Sequence, residues 1–467
     1  MIKIYNTLNQ KKEIFKPRID RKINLFVCGP TVYDLPHLGH AKTYLAFDLI
    51  AKYLRESGFR VFYLQNITNI DDKIIKKANE KGIDPQELAR DFEKEYLKEM
   101  KELKINSVTK YARATNYIKE IINQINRLLK KGYAYKIKDG IYYDISKFKD
   151  YGKLAKRTIS QAEDGVSRID EAKEKRNKGD FCLWKFSKPK EPKWKSPFGW
   201  GRPGWHIEDT AITEKHFGPQ YDIHGGGRDL IFPHHEAEIA QMEAISNKKP
   251  MVKFWLHTGL LTVNGQKMSK SLKNFITIRN FLKENNARVL RFFFIKNSYR
   301  SNVDYNEKSI SQTKKELQKI DEFIRRLKEK NFPNSKGIYV KKIIEETKKE
   351  IKNSMDDDFN TPKVIATLFN FINKGNKLLD KKNVSKNEAK QILIFLKGID
   401  KFLGFIFWTN KKEKIPENIS ILAKKREKFR QEKKWDKADK IRKEIENLGF
   451  KLEDTKNGTE IKKIILY

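Results

Sequence analysis

Apolar residues follow two rhythms along this chain. From Ile23 to Cys28 they form a short, nearly unbroken run, INLFVC, as expected of a strand covered on both faces. Residues 40–57 space them three and four apart, which predicts an amphipathic helix stopped by Gly58, and RVFYLQNIT then reads as the next strand. Strand, helix and strand in this order make a βαβ unit, so a parallel sheet is expected. A second strand-to-helix passage, QYDIHGGGRDLIFPHHEAEIAQMEAI, follows residue 219. The stretch from about 115 to 202 is less regular, with Lys, Arg, Pro and Trp clusters such as WKFSKPKEPKWKSPFGW, and reads as an insertion between two halves of one nucleotide-binding domain. After about residue 310 the rhythm turns helical and lysine-rich in TKKELQKIDEFIRRLKEK, PKVIATLFNFINKGNKLL and EAKQILIFLKGIDKFLGFIF, the pattern of an antiparallel bundle. The tail holds one helical stretch, AKKREKFRQEKKWDKADKIRKEIENLGF, and short strand-like segments around FKLED and EIKKIILY.

The expected fold class is α/β: a Rossmann-like parallel-sheet catalytic domain with an insertion, followed by an α-helical bundle and a small α+β C-terminal domain. The expected divisions are 1–114 and 203–250 for the two halves of the nucleotide-binding domain, 115–202 for the insertion, 251–310 for a linking fold, 311–410 for the bundle and 411–467 for the C-terminal domain.

Composition narrows the function classes. With 467 residues the chain has room for two to four domains. Lys and Arg number 99 against 61 Asp and Glu, a formal charge of +38, and such a surface attracts polyanions, nucleic acid first among them. A composition rich in Lys, Ile and Asn accounts for part of that excess, so charge alone proves no partner. No apolar run approaches a membrane span, so no membrane partner is expected. MIKIYNTLNQKKEIF lacks the features of a secretory signal, and two cysteines, Cys28 and Cys182, make no disulfide framework, so a cytoplasmic location is expected.

All eight histidines precede residue 258, so imidazole chemistry belongs to the first half. In PHLGH, a strand-to-helix turn brings His37 and His40 to a helix start, where free backbone N–H groups and the helix dipole favour phosphate. Gly39 lets a base or ribose approach. In GQKMSKSLKNF, Lys267 and Lys270 flank Met268 and Ser269 in a glycine-led loop, where two mobile ammonium groups can gather charge on a leaving pyrophosphate. His234 and Glu238 are four apart, so on a helix they share a face; with Cys28 they supply imidazole, carboxylate and thiolate, a plausible zinc set. Each of the three taken singly is equally at home in a core or a helix pair.

The paired strings HLGH and KMSKS resemble the signatures of class I aminoacyl-tRNA synthetases. FVCGPTVYDLPHLGHAKTY, NITNIDDKII, GRPGWHIE, DIHGGGRDLIFPHHEAEIAQ, KMSKSLKNF, MDDDFNTP and LEDTKNGT narrow the resemblance to the cysteinyl-tRNA synthetase family, in family order over essentially the full length. The resemblance implies ligation of L-cysteine to tRNA(Cys) through a cysteinyl adenylate, with magnesium accompanying ATP. His37, His40, Lys267 and Lys270 are then catalytic. ATP lies against His37, Gly39, His40, Gly226, Gly227, Asp229 and Lys270, and cysteine against Thr31, Thr68, Trp205 and His206. It also implies one Zn²⁺ per chain, which binds the substrate sulfur, and a bundle and tail that contact tRNA and its anticodon. Trp435, Arg426, Arg430 and Arg442 are candidates there, although such residues on a basic helix more often form a solvated face with one packed ring. A monomer is expected.

One position departs from the pattern. The fourth family ligand is a cysteine, and this chain has Asp209 in WHIEDTAI. A Cys28, Asp209, His234, Glu238 site is chemically possible but harder than the family's. Zinc retained on Asp209, zinc weakened or lost, and a rearranged ligand set are the three outcomes open to it. Cys182 is a possible substitute ligand, and a buried structural thiol is its other role. Two rivals share the core: a ligase joining cysteine to a small-molecule amine, which has no anticodon to read, and a non-catalytic RNA-binding paralogue, which intact HLGH and KMSKS argue against.

Overall fold

The chain begins with a hairpin, β1 (Lys3–Asn6) and β2 (Lys11–Ile14), and enters the central sheet at β3 (Lys22–Val27). In this computed structural model, residues 1–157, 174–269, 271–329, 332, 338–408, 416–432, 434–455 and 458–463 are described. Helix α1 (Leu38–Glu56) crosses to β4 (Arg60–Ile67), and α2 (Asp72–Lys81) and α3 (Pro85–Glu102) lead to β5 (Lys110–Arg113). After α4 (Ile118–Lys130) comes an antiparallel sheet in the order β6 (Ala134–Ile137), β7 (Gly140–Tyr143), β8 (Phe181–Phe186), β9 (Gly201–Pro203). The chain then returns through α5 (Ile207–Phe217), β10 (Tyr221–Gly227), α6 (Glu236–Ser246) and β11 (Val252–Thr258).

The central sheet runs β11-β10-β3-β4-β5, all parallel. From β3 the chain winds outward one way to β5, then lays β10 and β11 on the other side. The order therefore reverses between β3 and β10, and in such doubly wound sheets ligands bind beyond the carboxyl ends of the strands at that reversal. Cys28 is the first residue past β3, and its N–H donates to the Gly225 carbonyl of β10 at 3.0 Å. Strand periodicity aims its side chain. Ile23, Leu25 and Val27 join the core under α1, while Phe26 and Cys28 face the core that includes Ile207, Ala211, Ala237 and Ile239 of α5 and α6. A slip of one residue would turn the thiol away from both helices.

Past β11, the short strands β12 (Leu261–Val263), β13 (Gln266–Lys267) and β14 (Val303–Tyr305) form a small sheet around α7 (Ile278–Glu284) and α8 (Ala287–Ile295). Four long helices follow: α9 (Glu307–Leu327), α10 (Ile338–Asp356), α11 (Thr361–Asp380) and α12 (Lys386–Leu403). Their apolar stripes join the core beneath α1, so sheet and bundle share one interior. The tail is α13 (Glu417–Gln431), α14 (Trp435–Asn447) and a hairpin of β15 (Phe450–Thr455) and β16 (Gly458–Lys463), with a separate small core.

Three details differ from the sequence reading. The division expected at residue 250 falls ahead of β11, which pairs with β10 along its length and so extends the central sheet to Thr258. The single tail helix is two helices, α13 and α14. Helices α2 and α3, started by the caps Asp71 and Asp84, fill a stretch for which no element was expected.

Arg291 of α8, fully buried, ties these parts together. Its guanidinium donates to Asp48 Oδ2 on α1 (2.8 Å), to the Leu403 carbonyl closing α12 (2.8 Å) and to the Leu103 carbonyl after α3 (3.2 Å). Burial pushes the Asp48 carboxyl up, but Arg291 and Lys52 outweigh it and hold it below its usual range. Asp48→Ala strands that guanidinium, so we expect a loss of about 3 kcal/mol, read as a lower urea midpoint with an unchanged m-value.

Candidate active site

The crevice at the strand-order reversal collects donor atoms from four places. Cys28 comes from the end of β3, Asp209 from the first turn of α5, His234 from the turn before α6 and Glu238 from the first turn of α6. All four are buried. Cys28 Sγ lies 3.4 Å from Asp209 Oδ2 and 3.9 Å from Glu238 Oε1, while His234 Nε2 lies 3.0 Å from Asp209 Oδ2 and 3.3 Å from Glu238 Oε1. A tetrahedron with metal–ligand bonds of about 2.0–2.3 Å has edges of about 3.3–3.8 Å, so the spacing suits zinc.

The electrostatics agree with the spacing. Burial, then the Asp209 and Glu238 carboxylates, pushes the Cys28 thiol well up, and burial with Asp209 and Glu208 does the same to Glu238. Asp209 Oδ1 and Glu238 Oε2 have no hydrogen-bond partner among the described residues. Acidic groups gathered out of water with unsatisfied oxygens are costly unless protonated or neutralised by a cation. The other nitrogen of His234 is engaged, Nδ1 standing 2.8 Å from His206 Nδ1, as is usual for an imidazole ligand.

Trp205 lies over this group, its ring stacked on His234 at 4.3 Å between centroids. Thr31, Trp205 and His206 line one cavity, together with Asp71, Lys185 and Arg202. Thr68 is buried and its backbone pairs with Thr31, while its hydroxyl donates to Glu208. The four residues expected around the amino acid are therefore neighbours. Cys182 is buried in β8 against Tyr135 and Tyr142 and belongs to neither donor group found among the described residues.

Further along the passage that leaves β3 at Cys28, His37 caps α1. Its Nδ1 accepts from the Gly39 N–H (3.0 Å), and His40 Nδ1 accepts from the His37 N–H (3.2 Å), with the rings stacked at 3.8 Å. Occupying both Nδ1 atoms in this way puts the ring protons on Nε2, where they can be donated outward. Burial, then His37, lowers the His40 pKa well below the usual imidazole value, so it acts as a neutral donor. The segment after KMSKS threads beside this helix start: Leu38 N–H donates to Ile276 O, Ile278 N–H donates to Pro36 O, and Phe275 sets its ring edge to His37. Lys267 is exposed on β13; Lys270 lies outside the described residues. Gly226 and Gly227 end β10, and Asp229 follows in a short turn. A side chain at Gly226 would press on His235 at 2.8 Å, so the ring excludes any larger residue there.

Sequence reasoning missed a second layer. His224 Nε2 and His235 Nε2 lie 3.3 and 3.1 Å from Cys28 Sγ, and with Glu238 these residues form an alternative donor group sharing two members with the first. Tyr221 holds His224, and His257 holds His235. Burial first, with neighbouring imidazoles, keeps His224 and His235 neutral. The confinement of histidine to the first half was the one signal; β10 and β11 bring these rings together through sheet register, which local spacing does not encode. Arg426, a candidate RNA contact, is corrected: it is 3% exposed, facing Thr459 inside the tail. Trp435 is 57% exposed, and Arg430 and Arg442 pair with Glu427 and Glu446.

Comparison with known proteins adds to this geometry. Residues 14–315 match the model of the class I (C) tRNA synthetase catalytic domain, and residues 350–407 match the DALR domain. The chain is 45% identical to the cysteine–tRNA ligase of Thermococcus gammatolerans over 99% of both chains. It is 44% identical to that of Methanococcus maripaludis over 99% of this chain and all of the other. The chain belongs to the cysteine–tRNA ligase family. Among solved structures, the methionyl-tRNA synthetase of Mycobacterium tuberculosis in complex with methionyl-adenylate superposes with a TM-score of 0.61 at 15% identity, covering 83% of this chain and 88% of that one. At that identity the likeness concerns fold alone. No helix among the described residues is long and apolar enough to cross a membrane.

With its thiol pushed up by burial and two carboxylates, Cys28 should stay protonated and inert without metal. We expect chelator-treated native protein to resist iodoacetamide at pH 7.5 under conditions that alkylate both cysteines in urea, with labelled residues read by mass spectrometry.

Proposed function

We propose that this member of the family activates L-cysteine and selects it through the donor group Cys28, Asp209, His234 and Glu238, with zinc as the ion those residues hold. The observation that carries the reading is the meeting of these four buried side chains at the strand-order reversal, with Trp205 stacked on His234 and with the passage from Cys28 leading to the helix start that bears His37 and His40. Zinc bound there would engage the substrate sulfur and so favour a thiol over the harder, less acidic hydroxyl of serine.

The chain's own residues position and stabilise. The carboxylate of cysteine attacks the α-phosphorus of ATP, forming a P–O bond as the bond to pyrophosphate breaks, with magnesium accompanying the nucleotide. No protein nucleophile is required. His37 and His40 offer Nε2–H donors to phosphoryl oxygens at the positive end of α1, and Gly39 leaves room for the nucleotide. Lys267 and Lys270 gather charge on the departing pyrophosphate. Gly226, Gly227 and Asp229 border the adenosine. Thr31, Thr68, Trp205 and His206 enclose the amino acid. A ribose hydroxyl at the 3′ end of tRNA(Cys) then attacks the acyl carbon and releases AMP. The DALR match over residues 350–407 and the near-complete coverage by ligase relatives support the tRNA step over either rival.

ATP–pyrophosphate exchange tests the reading. Zinc-loaded enzyme should exchange with cysteine about 10⁴-fold better than with serine, and chelation should remove that preference. Asp209→Ala should purify with less than stoichiometric zinc, and Asp209→Cys should hold zinc more tightly than the wild type in chelator competition. Equal exchange with both amino acids, or full selectivity in metal-free enzyme, would overturn it.

A further inference from the structure

Three buried donors beside the proposed zinc ligands have no task in the reading above. His224 comes from β10 and His235 from the turn before α6, and the second oxygen of Glu238 faces the first of them, Oε2 standing 3.6 Å from His224 Nδ1. His224 Nε2 and His235 Nε2 lie 3.3 and 3.1 Å from Cys28 Sγ. With Cys28 and Glu238 they form a group whose donor atoms all lie within 4.8 Å of one another, as do those of Cys28, Asp209, His234 and Glu238. The two groups share a thiol and a carboxylate. They differ in that the first adds one imidazole and one carboxylate, while the second adds two imidazoles.

Hydrogen bonding within the protein leaves this second group unsatisfied. The Cys28 thiol carries one hydrogen, yet Asp209 Oδ2, Glu238 Oε1 and both Nε2 atoms converge on its sulfur at 3.4, 3.9, 3.3 and 3.1 Å. Glu238 is wholly buried, and its Oε2 has no hydrogen-bond partner among the described residues. The far nitrogens, in contrast, are engaged. His224 Nδ1 stands 2.7 Å from the Tyr221 hydroxyl, and His235 Nδ1 stands 2.8 Å from His257 Nε2, whose own Nδ1 is 2.8 Å from Thr7 Oγ1. Imidazoles braced at one nitrogen and aimed with the other at a thiol have the arrangement of metal ligands. Their distances from the sulfur are close to the edges of about 3.3–3.8 Å that a zinc tetrahedron requires. A thiolate and a carboxylate can each bridge two ions, and the ions of such pairs stand about 3.5–4 Å apart.

We infer that the protein holds a second divalent cation of the zinc class between Cys28, His224, His235 and Glu238, bridged to the first through the Cys28 sulfur and the Glu238 carboxylate. Glu238 Oε1, 3.3 Å from His234 Nε2, serves the first position, and Oε2 serves the second. Two imidazole nitrogens give the pair back part of the softer character that Asp209 takes from the first position. The inference rests on the proposed function, since the first ion is the one that reading assigns.

The test counts zinc by mass spectrometry in protein stripped with chelator, reloaded with zinc alone and desalted. The wild type should hold two ions per chain and His224→Gln/His235→Gln one. Cobalt-loaded wild type supplies a second measurement that needs no variant to fold: a bridging thiolate couples two high-spin ions, so the paramagnetic resonance signal of the first cobalt should fall as the second enters. One zinc per chain in the wild type, two in the double variant, or a cobalt signal that grows in proportion to loading would overturn the inference and leave the proposed function standing. Reloaded wild type that holds no zinc at all would overturn both.

Discussion

A single backbone hydrogen bond, from Cys28 N–H to the Gly225 carbonyl, marks where the central sheet turns from one winding direction to the other. The donor cluster, the helix start and the cavity lined by Thr31, Trp205 and His206 all take their places from this point. Because β3 and β10 are parallel and adjacent without being consecutive, the loops leaving their carboxyl ends diverge and open a crevice. The passage after β3 carries Thr31 in its loop and His37 and His40 at the start of α1, and the passage after β10 carries Asp229, His234 and Glu238. Gly29 lets the first loop turn so close to β4 that a Cβ there would collide with the Asn66 carbonyl. Gly225 leaves space that the Phe47 ring of α1 fills. Crevice geometry is therefore set by backbone packing, before any functional side chain is considered.

That geometry concentrates like charge. A thiol and three carboxyl groups, from Cys28, Glu208, Asp209 and Glu238, lie in a region closed to water, with the neutral imidazoles of His206, His224 and His235 close by. Glu208 is satisfied by Thr68 and Asn66, which separates its role from that of its neighbour. Asp209 and Glu238 keep one oxygen each without a hydrogen-bond partner among the described residues. The cluster is thus arranged less like a hydrophobic core than like a ligand set. A carboxylate at position 209, where the family resemblance expects a thiolate, keeps the charge of the set while making it harder. The rings of His224 and His235 beside the Cys28 sulfur place further nitrogen donors around the one thiol of the cluster.

The sequence revealed the chemistry where residues sit close along the chain and concealed it where the fold brings them together. HLGH shows its helix start because the cap and both imidazoles lie within four residues, and the His234–Glu238 pair shows because helical spacing puts both on one face. The parallel sheet was legible from the apolar run of β3 and the period of α1. Asp209 could be placed in the cluster only through the resemblance, since nothing in WHIEDTAI signals a ligand. The imidazoles of His224, His235 and His257 arrive from two strands and a turn, and only the register of β10 against β11 makes them neighbours. Arg426 was misjudged for the converse reason: a basic residue in a basic helix looks solvent-facing until the hairpin of β15 and β16 covers it.

Helix α1 joins these levels. Its start holds His37 and His40 beside the crevice, and at about 1.5 Å per residue its 19 residues reach well beyond it. Lys42 near its start is buried and donates to the Gly259 and Tyr299 carbonyls, clamping it to the exit of β11 and to the loop before β14. Two turns on, Asp48 meets Arg291, and near its end Tyr53 donates to Asp356 of α10 at 2.6 Å. A helix fixed at its start, middle and end cannot shift at one point without moving at the others, because each contact is buried and directional. The bundle and the two histidines at the helix start are therefore tied to one another through a single helix, by buried side-chain contacts at Lys42, Asp48 and Tyr53.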